Sequence, residues 1–406
     1  MTGDDQTQNP GRVPHLPRGT SPGEAQLGPR DADSARANFE RFARGEPIAV
    51  DVGEIERELG ALWQAASHAG GGQTGAVSRA ALWNLVIPAR GREELATTKA
   101  LVDAIAPAVP VRAIMLCLDD AAGSGELAAT IESNVVSQPG GGRVVYSEEI
   151  TLVGPTGAEA HFGAMVRALQ VPGVRTATLW MDAAMPSTLL TRELMPVTRR
   201  LIVDTGTCRG PLHLQDLERL AARMLPRPVA DLAWLRLASF RLLFAGLFDP
   251  PVGGGPLRSA TRLAVRHRPS GDVSALLVVA WLGQLLGWRP LRCGETSDGG
   301  LRFDFDRPDG GSLEAFVIPG AVACDQSAIL SIELTSGHDV YVVSREAIDQ
   351  ARLQLPIAPA RTVKLDSYSD ADICVAALGP RGRDPLFARC LEYAGRLWAL
   401  EPRGRR

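Results

Sequence analysis

Glu93-Glu-Leu-Ala-Thr-Thr-Lys-Ala-Leu-Val-Asp-Ala-Ile105, followed by Val111-Arg-Ala-Ile-Met-Leu-Cys-Leu118, is the stretch that decides the fold. A helical segment runs into an almost unbroken apolar segment, the pattern of a strand covered on both faces. The alternation extends on both sides. Apolar runs at Ala80 to Ile87, Val144 to Val153, Thr176 to Trp180 and Leu201 to Val203 are separated by helical stretches such as Ala158 to Leu169. Strands alternating with helices predict an N-terminal α/β domain with a largely parallel sheet. Upstream, Ile55, Leu59, Leu62, Trp63 and Ala66 fall at helical spacing and Gly70-Gly71-Gly72 ends the run.

Past residue 208 the pattern changes. Leu212 to Met224, Asp231 to Phe248 and Asp272 to Gly287 read as helices, with Asp231 and Asp272 as N-caps. Arg302 to Asp306 and Leu313 to Ile318 flank the turn Pro308-Asp-Gly-Gly311, and Leu330, Ile332 and Leu334 alternate with polar residues before a second turn at Ser336-Gly337-His338. This predicts a C-terminal α+β domain with helices packed on an antiparallel meander. Residues 1–45, rich in Pro, Gly, Asp, Arg and Ser, read as a disordered leader. The organisation expected is therefore a leader, an α/β domain over 46–208 and an α+β domain over 209–400.

Composition narrows the function classes. The 406 residues carry 43 basic and 46 acidic side chains, so no global positive field favours nucleic acid. The longest strongly apolar run, Val273 to Trp288, is shorter than a membrane span of about 20 residues. No secretory signal is visible, and a cytoplasmic location is the expectation. The six cysteines are scattered singly with no histidine beside them, which argues against a zinc site or a disulfide framework.

Catalytic signatures are scarce. Gly123-Ser-Gly125-Glu-Leu-Ala128 has the form of a dinucleotide fingerprint between the strand Val111 to Leu118 and an expected helix. Asp119-Asp120 in the same loop would repel a pyrophosphate, so an ordinary glycine-bearing loop explains it as well. Asp304 and Asp306 read as the solvated face of a hairpin whose Phe303 and Phe305 point inward, and Cys208 beside Arg209 is a candidate reactive thiol. The helix Asp231 to Phe248 is apolar nearly all round, broken only by Arg236 and Arg241. It fits either a central core helix or a protein interface centred on Trp234, Phe240 and the two arginines.

Asp231-Leu-Ala-Trp-Leu-Arg-Leu237 with Arg241-Leu-Leu-Phe-Ala-Gly-Leu-Phe-Asp249 resembles the corresponding stretch of the glucose-6-phosphate dehydrogenase assembly protein family, OpcA. Other segments agree in the same order: Ile55-Glu-Arg-Glu-Leu59 with Trp63, Trp83-Asn84-Leu-Val86, Pro110-Val-Arg112-Ala-Ile114, Ser147-Glu-Glu-Ile-Thr-Leu152, Leu201-Ile-Val-Asp204 and Asp384-Pro-Leu-Phe387. The resemblance runs from about residue 50 to residue 398. Among its departures, Tyr146-Ser147 stands where the family has paired cysteines, Val109 near its "HPSR" histidine, and Trp180-Met181 at its tryptophan pair.

The resemblance implies a non-catalytic assembly factor or allosteric activator. Such a protein binds glucose-6-phosphate dehydrogenase and favours its active oligomer in the oxidative pentose phosphate pathway, with no cofactor and no metal of its own. It implies that Asn84, Arg112, Glu148, Asp204 and Asp231 are family-motif positions. It also makes Trp234, Arg236, Phe240 and Arg241 the candidate partner-binding set. The alternative is a nucleotide- or sugar-phosphate-binding protein or enzyme, with a site near Asp119 to Gly125 or on the arginines Arg262, Arg266 and Arg268.

Overall fold

A computed structural model of the chain describes residues 37–69, 77–79, 81–122, 127–137, 144–181, 188–207, 212–320, 328–380 and 382–400. The first described element is a helix, α1, over residues 37–43. Its Phe42 is fully buried and meets Trp63 edge-on at 5.7 Å. Folded structure therefore begins before residue 46: Phe39 packs on the same core and the Ser133 hydroxyl donates to the Phe42 carbonyl at 2.6 Å. The earlier part of the expected leader lies outside the described residues.

The N-terminal unit contains β1 (Ile48–Val50), α2 (Ile55–Ala69), β2 (Val77–Arg79), β3 (Trp83–Arg90), α3 (Gly91–Ile105), β4 (Val111–Leu118), β5 (Ala128–Ser137), β6 (Val144–Gly154), α4 (Glu159–Leu169), β7 (Thr176–Trp180), α5 (Thr188–Leu194), β8 (Arg200–Val203), α6 (Leu212–Met224) and β9 (Val229–Asp231). Its sheet has the strand order β1-β5-β6-β4-β3-β7-β8-β9, with β2 beside β6. Strands β6, β4, β3, β7, β8 and β9 are mutually parallel, while β5 and β1 run antiparallel at one edge. From β3 outward, the parallel strands follow the 3-2-1-4-5-6 order of a doubly wound fold, with the topological switch between β3 and β7. The apolar runs that predicted a parallel sheet are these strands, and β4 is buried at every position.

The C-terminal unit follows with α7 (Leu232–Arg236), α8 (Ala238–Gly246), α9 (Gly255–Arg258), β10 (Arg262–His267), α10 (Asp272–Leu286), β11 (Arg289–Glu295), β12 (Leu301–Asp306), β13 (Ser312–Pro319), β14 (Ile329–Ser336), β15 (Asp339–Ala347), β16 (Gln350–Leu355), β17 (Ala358–Lys364), α11 (Asp370–Leu378) and α12 (Pro385–Ala399). Its eight strands are ordered β11-β12-β13-β10-β14-β15-β16-β17 and pair antiparallel except for the parallel contact of β10 with β13. Phe303 and Phe305 point inward with no exposure, as their alternation with Asp304 and Asp306 predicted. Helix α10, the long apolar run, is the buried spine beneath this sheet. It ends at Gly287, whose φ of +69° closes the C-terminus at no steric cost.

Four expectations are corrected. The segment Asp231 to Phe248 is two helices, with a turn at Leu237 between α7 and α8. Gly271, not Asp272, occupies the N-cap of α10. From Ala128 the chain forms strand β5, antiparallel to β6, where a dinucleotide fingerprint needs a helix. Finally, the units interlock beyond residue 208, because β9 closes the first sheet and α11 packs against α3 and α7. One face of the first sheet is buried under α3 and α11 through Leu85, Ile87, Val102, Ile373 and Leu378. The other face is continuous with the core beneath the second sheet, through residues such as Trp234, Phe240 and Phe244.

Candidate functional site

In a doubly wound sheet, ligands bind in the crevice outside the carboxyl ends of the strands, with phosphate on the N-terminus of the first helix. Here β3 passes directly into α3 at Gly91, whose φ is +73°. The turn is Arg90-Gly91-Arg92-Glu93-Glu94, and the Glu94 carboxylate accepts the Arg90 N–H at 2.8 Å. At the end of β4, Asp119 accepts from Arg92 Nε at 3.0 Å and from the Ala121 N–H at 3.1 Å. Asp120 takes the N–H and hydroxyl of Thr156 at 2.8 Å each, and these bonds hold its pKa below the usual range. Of these carboxylates, Glu94 lies in the turn where a pyrophosphate would sit, and Asp119 and Asp120 at the end of the second strand of the order. Gly123 and Gly125 lie outside the described residues, as do Cys208 and Arg209.

The five family-motif residues are clamps. Asn84, fully buried on β3, accepts the Val171 N–H at 2.8 Å and donates to the carbonyls of Val171 and Val174, fastening the loop between α4 and β7. Arg112 on β4 donates Nε to Glu148 at 2.7 Å and Nη1 to Glu56 and to the Leu169 carbonyl, so one buried guanidinium ties α2, β6 and α4 together. Trp63 Nε1 donates to the other oxygen of Glu148. Asp231 is fully buried and accepts from Thr205 N and Oγ1 and from the amides of Ala233 and Trp234. Burial pushes its pKa up to about 6 against the opposing effect of the Thr205 hydrogen bonds.

Of the candidate partner-binding set, the two aromatics are buried and the two arginines are part-exposed. Trp234 and Phe240 are each 2% exposed. The Trp234 indole donates to Asp384 at 3.0 Å, its ring lies 5.7 Å from Phe387, and the Arg241 guanidinium stacks 3.4 Å above it. Burial pushes the Arg241 pKa down to about 10. Arg236 reaches Asp204 with two bonds of 2.8 and 2.7 Å and Asp370 at 2.8 Å, which raises its pKa above the ordinary value against the cost of burial. The interface expectation is corrected for Trp234 and Phe240, which are core residues; Arg236, part-exposed, pairs with Asp204 and the exposed Asp370, and Arg241 stacks on Trp234. Arg262 and Arg266 stay exposed on β10, and Arg262 lies over Phe316 and 3.9 Å from Glu333.

Beside this cluster is a cavity of about 380 Å³ that sequence reasoning did not find. Val229, Trp234, Leu235, Ala377 and Phe387 form apolar walls, with Arg200, Arg383, Asp231 and Asp384 among them. Its lining comes from three stretches far apart in sequence, around residues 200, 228–235 and 376–387, so no local pattern announces it. Among the described residues no group of His, Cys, Asp and Glu could hold a metal ion, and no helix is long and apolar enough to cross a membrane.

Fold and clamps together define a class: a two-unit α/β protein on a doubly wound sheet, with buried polar clamps tying its helices to the strands. Two family models match the chain, the glucose-6-phosphate dehydrogenase subunit N-terminal domain over residues 102–222 and the C-terminal domain over residues 227–391. The chain belongs to the OpcA family of glucose-6-phosphate dehydrogenase subunits. A Nostoc punctiforme protein named OxPP cycle protein OpcA is 30% identical over 152 residues, covering 36% of this chain and 32% of that protein. Its namesake in Synechococcus elongatus is 25% identical over 321 residues, covering 61% of this chain and 70% of that protein. The match to the Nostoc protein thus spans about a third of that relative's length. Among solved structures, a dehydrogenase from Chromobacterium violaceum overlays with a TM-score of 0.45 at 12% identity, covering 79% of this chain and 94% of that one.

Proposed function

We propose that this protein is a non-catalytic partner of glucose-6-phosphate dehydrogenase that favours the enzyme's active oligomer. The observation that carries the reading is the match of both halves, in order, to the two domains of a glucose-6-phosphate dehydrogenase subunit family. The turn between β3 and α3 supports the non-catalytic part: there Glu94 takes the Arg90 N–H, a donor of the kind a dinucleotide phosphate would use. A partner needs no chemistry to activate. By binding the active assembly about tenfold more tightly than the inactive one, it shifts that equilibrium by about 1.4 kcal/mol.

The test mixes the purified protein with glucose-6-phosphate dehydrogenase from the same organism and follows oligomer mass and NADP reduction together. The expected result is a larger assembly and a higher rate, with no turnover by this protein alone. Unchanged mass and rate would refute the partner reading. Micromolar NADP binding by this protein alone, measured by calorimetry, would refute the non-catalytic one and favour the alternative nucleotide site.

A further inference from the structure

Helices α8 and α10 pack on one face of the second sheet, where Leu263, Phe303, Ala315, Ile332 and Val343 enter the core. The strand register sends the alternate residues to the opposite face. There Arg262, Arg266, Arg352 and Gln354 are exposed, so the face is open. A face built only for water carries polar residues at these alternate positions. Instead Phe316 and Ala264 stand side by side on β13 and β10, Ile318 follows two residues on, and Val340 and Val342 lie on β15. None of these five is part of either hydrophobic core.

The charges on this face are of both signs. On the five strands from β12 to β15 in sheet order, Arg262, Arg266 and Arg302 stand against Asp304, Asp306, Glu314 and Glu333. Arg302 reaches Asp304 at 2.9 Å and Glu314 at 2.5 Å, while Arg262 lies 4.7 Å over the Phe316 ring and 3.9 Å from Glu333. A surface that meets its own copy sets the same charges against one another, so a strong single sign would drive the copies apart. Interleaved signs close to neutrality remove that obstacle. Size is also sufficient. Eight strands about 4.8 Å apart, each six to nine residues long, span about 38 by 23 Å, or roughly 850 Å². A stable specific interface takes about 800 Å² from each partner.

We propose that the open face of the second sheet packs against the same face of a second copy of this chain, making a two-fold dimer with Ala264, Phe316, Val340 and Val342 at the centre of the contact. The two sheets would stack about 10 Å apart, as in a sandwich. Paired charges on β11 to β13 would form the polar rim. The contact requires nothing of the dehydrogenase and stands or falls without it.

Sedimentation equilibrium of the full chain alone, up to about 50 µM, tests it, because interfaces of this size bind with micromolar affinity or better. Two variants put a charge into the contact. Val342→Arg lies opposite Glu333 in the register and Ser344→Glu opposite Arg352, so a monomer tolerates each, whereas a dimer must bury the added charge against its copy. Leu242→Arg, at a position 74% exposed on α8, is the control, and far-UV circular dichroism checks that every variant is folded. The wild type and Leu242→Arg are expected to be dimers, with the dimer dissociation constant raised at least about tenfold in both face variants. A monomeric wild type at about 50 µM, or a face variant that dimerises as well as the wild type, would overturn the proposal. A monomer whose Val342→Arg variant loses the dehydrogenase would also overturn it, by giving the face to that partner.

Discussion

Replacing Trp234 by alanine distinguishes a core residue from a partner-facing one. The side chain is 2% exposed, packed against Phe387 and capped by the Arg241 guanidinium, so truncation leaves a cavity that α10 and α12 can only partly close. Buried Trp to Ala changes cost about 3–5 kcal/mol. The indole N–H is a separate contribution, because Asp384 loses a donor; a hydrogen bond to a charged group is worth about 1.5–3 kcal/mol. Trp234→Phe isolates the second cost, and Trp234→Ala should lie near the upper end of the first. For a cooperative unit of about 200 residues, 4 kcal/mol corresponds to a fall in Tm of about 10 °C. The assay is calorimetric melting of wild type and both variants, alongside affinity for the dehydrogenase corrected for the folded fraction. The expected outcome is a large loss of stability and an unchanged corrected affinity. A Trp234→Ala protein that melts like wild type yet loses its partner would refute the burial argument and restore the interface role.

Arg112→Met should cost about 3–5 kcal/mol in urea titrations, because it leaves the buried Glu148 carboxylate without its guanidinium. Arg236→Met should cost about 3 kcal/mol and loosen α11, read as faster amide exchange over residues 370–378, because Asp204 is 2% exposed and loses both bonds. Glu149, opposite Glu132 in the β5–β6 pair and served by the same Lys99, has its pKa pushed up to about 8 by burial. The folded state then keeps a proton that the unfolded chain, with a carboxylate pKa of 4.5, releases; stability should fall as pH rises from 4.5 to 8, and Glu149→Gln should flatten that slope. Burial raises the thiol pKa of Cys117, of Cys390 and of Cys374, the last to about 12, so labelling of these three by a thiol reagent at pH 7 should require unfolding; rapid native-state labelling would contradict it.

The parallel sheet was legible because its strands are buried on both faces and read as apolar runs. Strand β5 was not, because Ser133 interrupts the apolar face of Ala129 and Ile131 and Glu132 is buried on the other; Ser133 is satisfied by the Phe42 carbonyl and Glu132 by Lys99, partners set by the fold rather than by neighbours in sequence. The break at Leu237 was equally hidden, since helix α7 and helix α8 are both apolar and no glycine or proline marks the joint. For the candidate partner set the sequence left a core helix and an interface both open: a Trp and an Arg on an apolar helix look the same whether the carboxylates they meet, Asp384, Asp204 and Asp370, belong to another molecule or to this one. The family motif survives as a set of internal ties, which explains why it announced a fold more clearly than a contact.

The packing of α11 onto α3 has a consequence for biosynthesis. Strands β3, β4, β7 and β8 are all translated long before residues 370–378, yet Ile373, Cys374, Ala377 and Leu378 complete the apolar layer over one face of their sheet. At about 5–20 residues per second, a nascent chain waits roughly ten to thirty seconds between β8 and α11 with that face covered by α3 alone. A chaperone has time to engage it there, and a message or polypeptide broken before α11 yields a product that never loses the exposed patch.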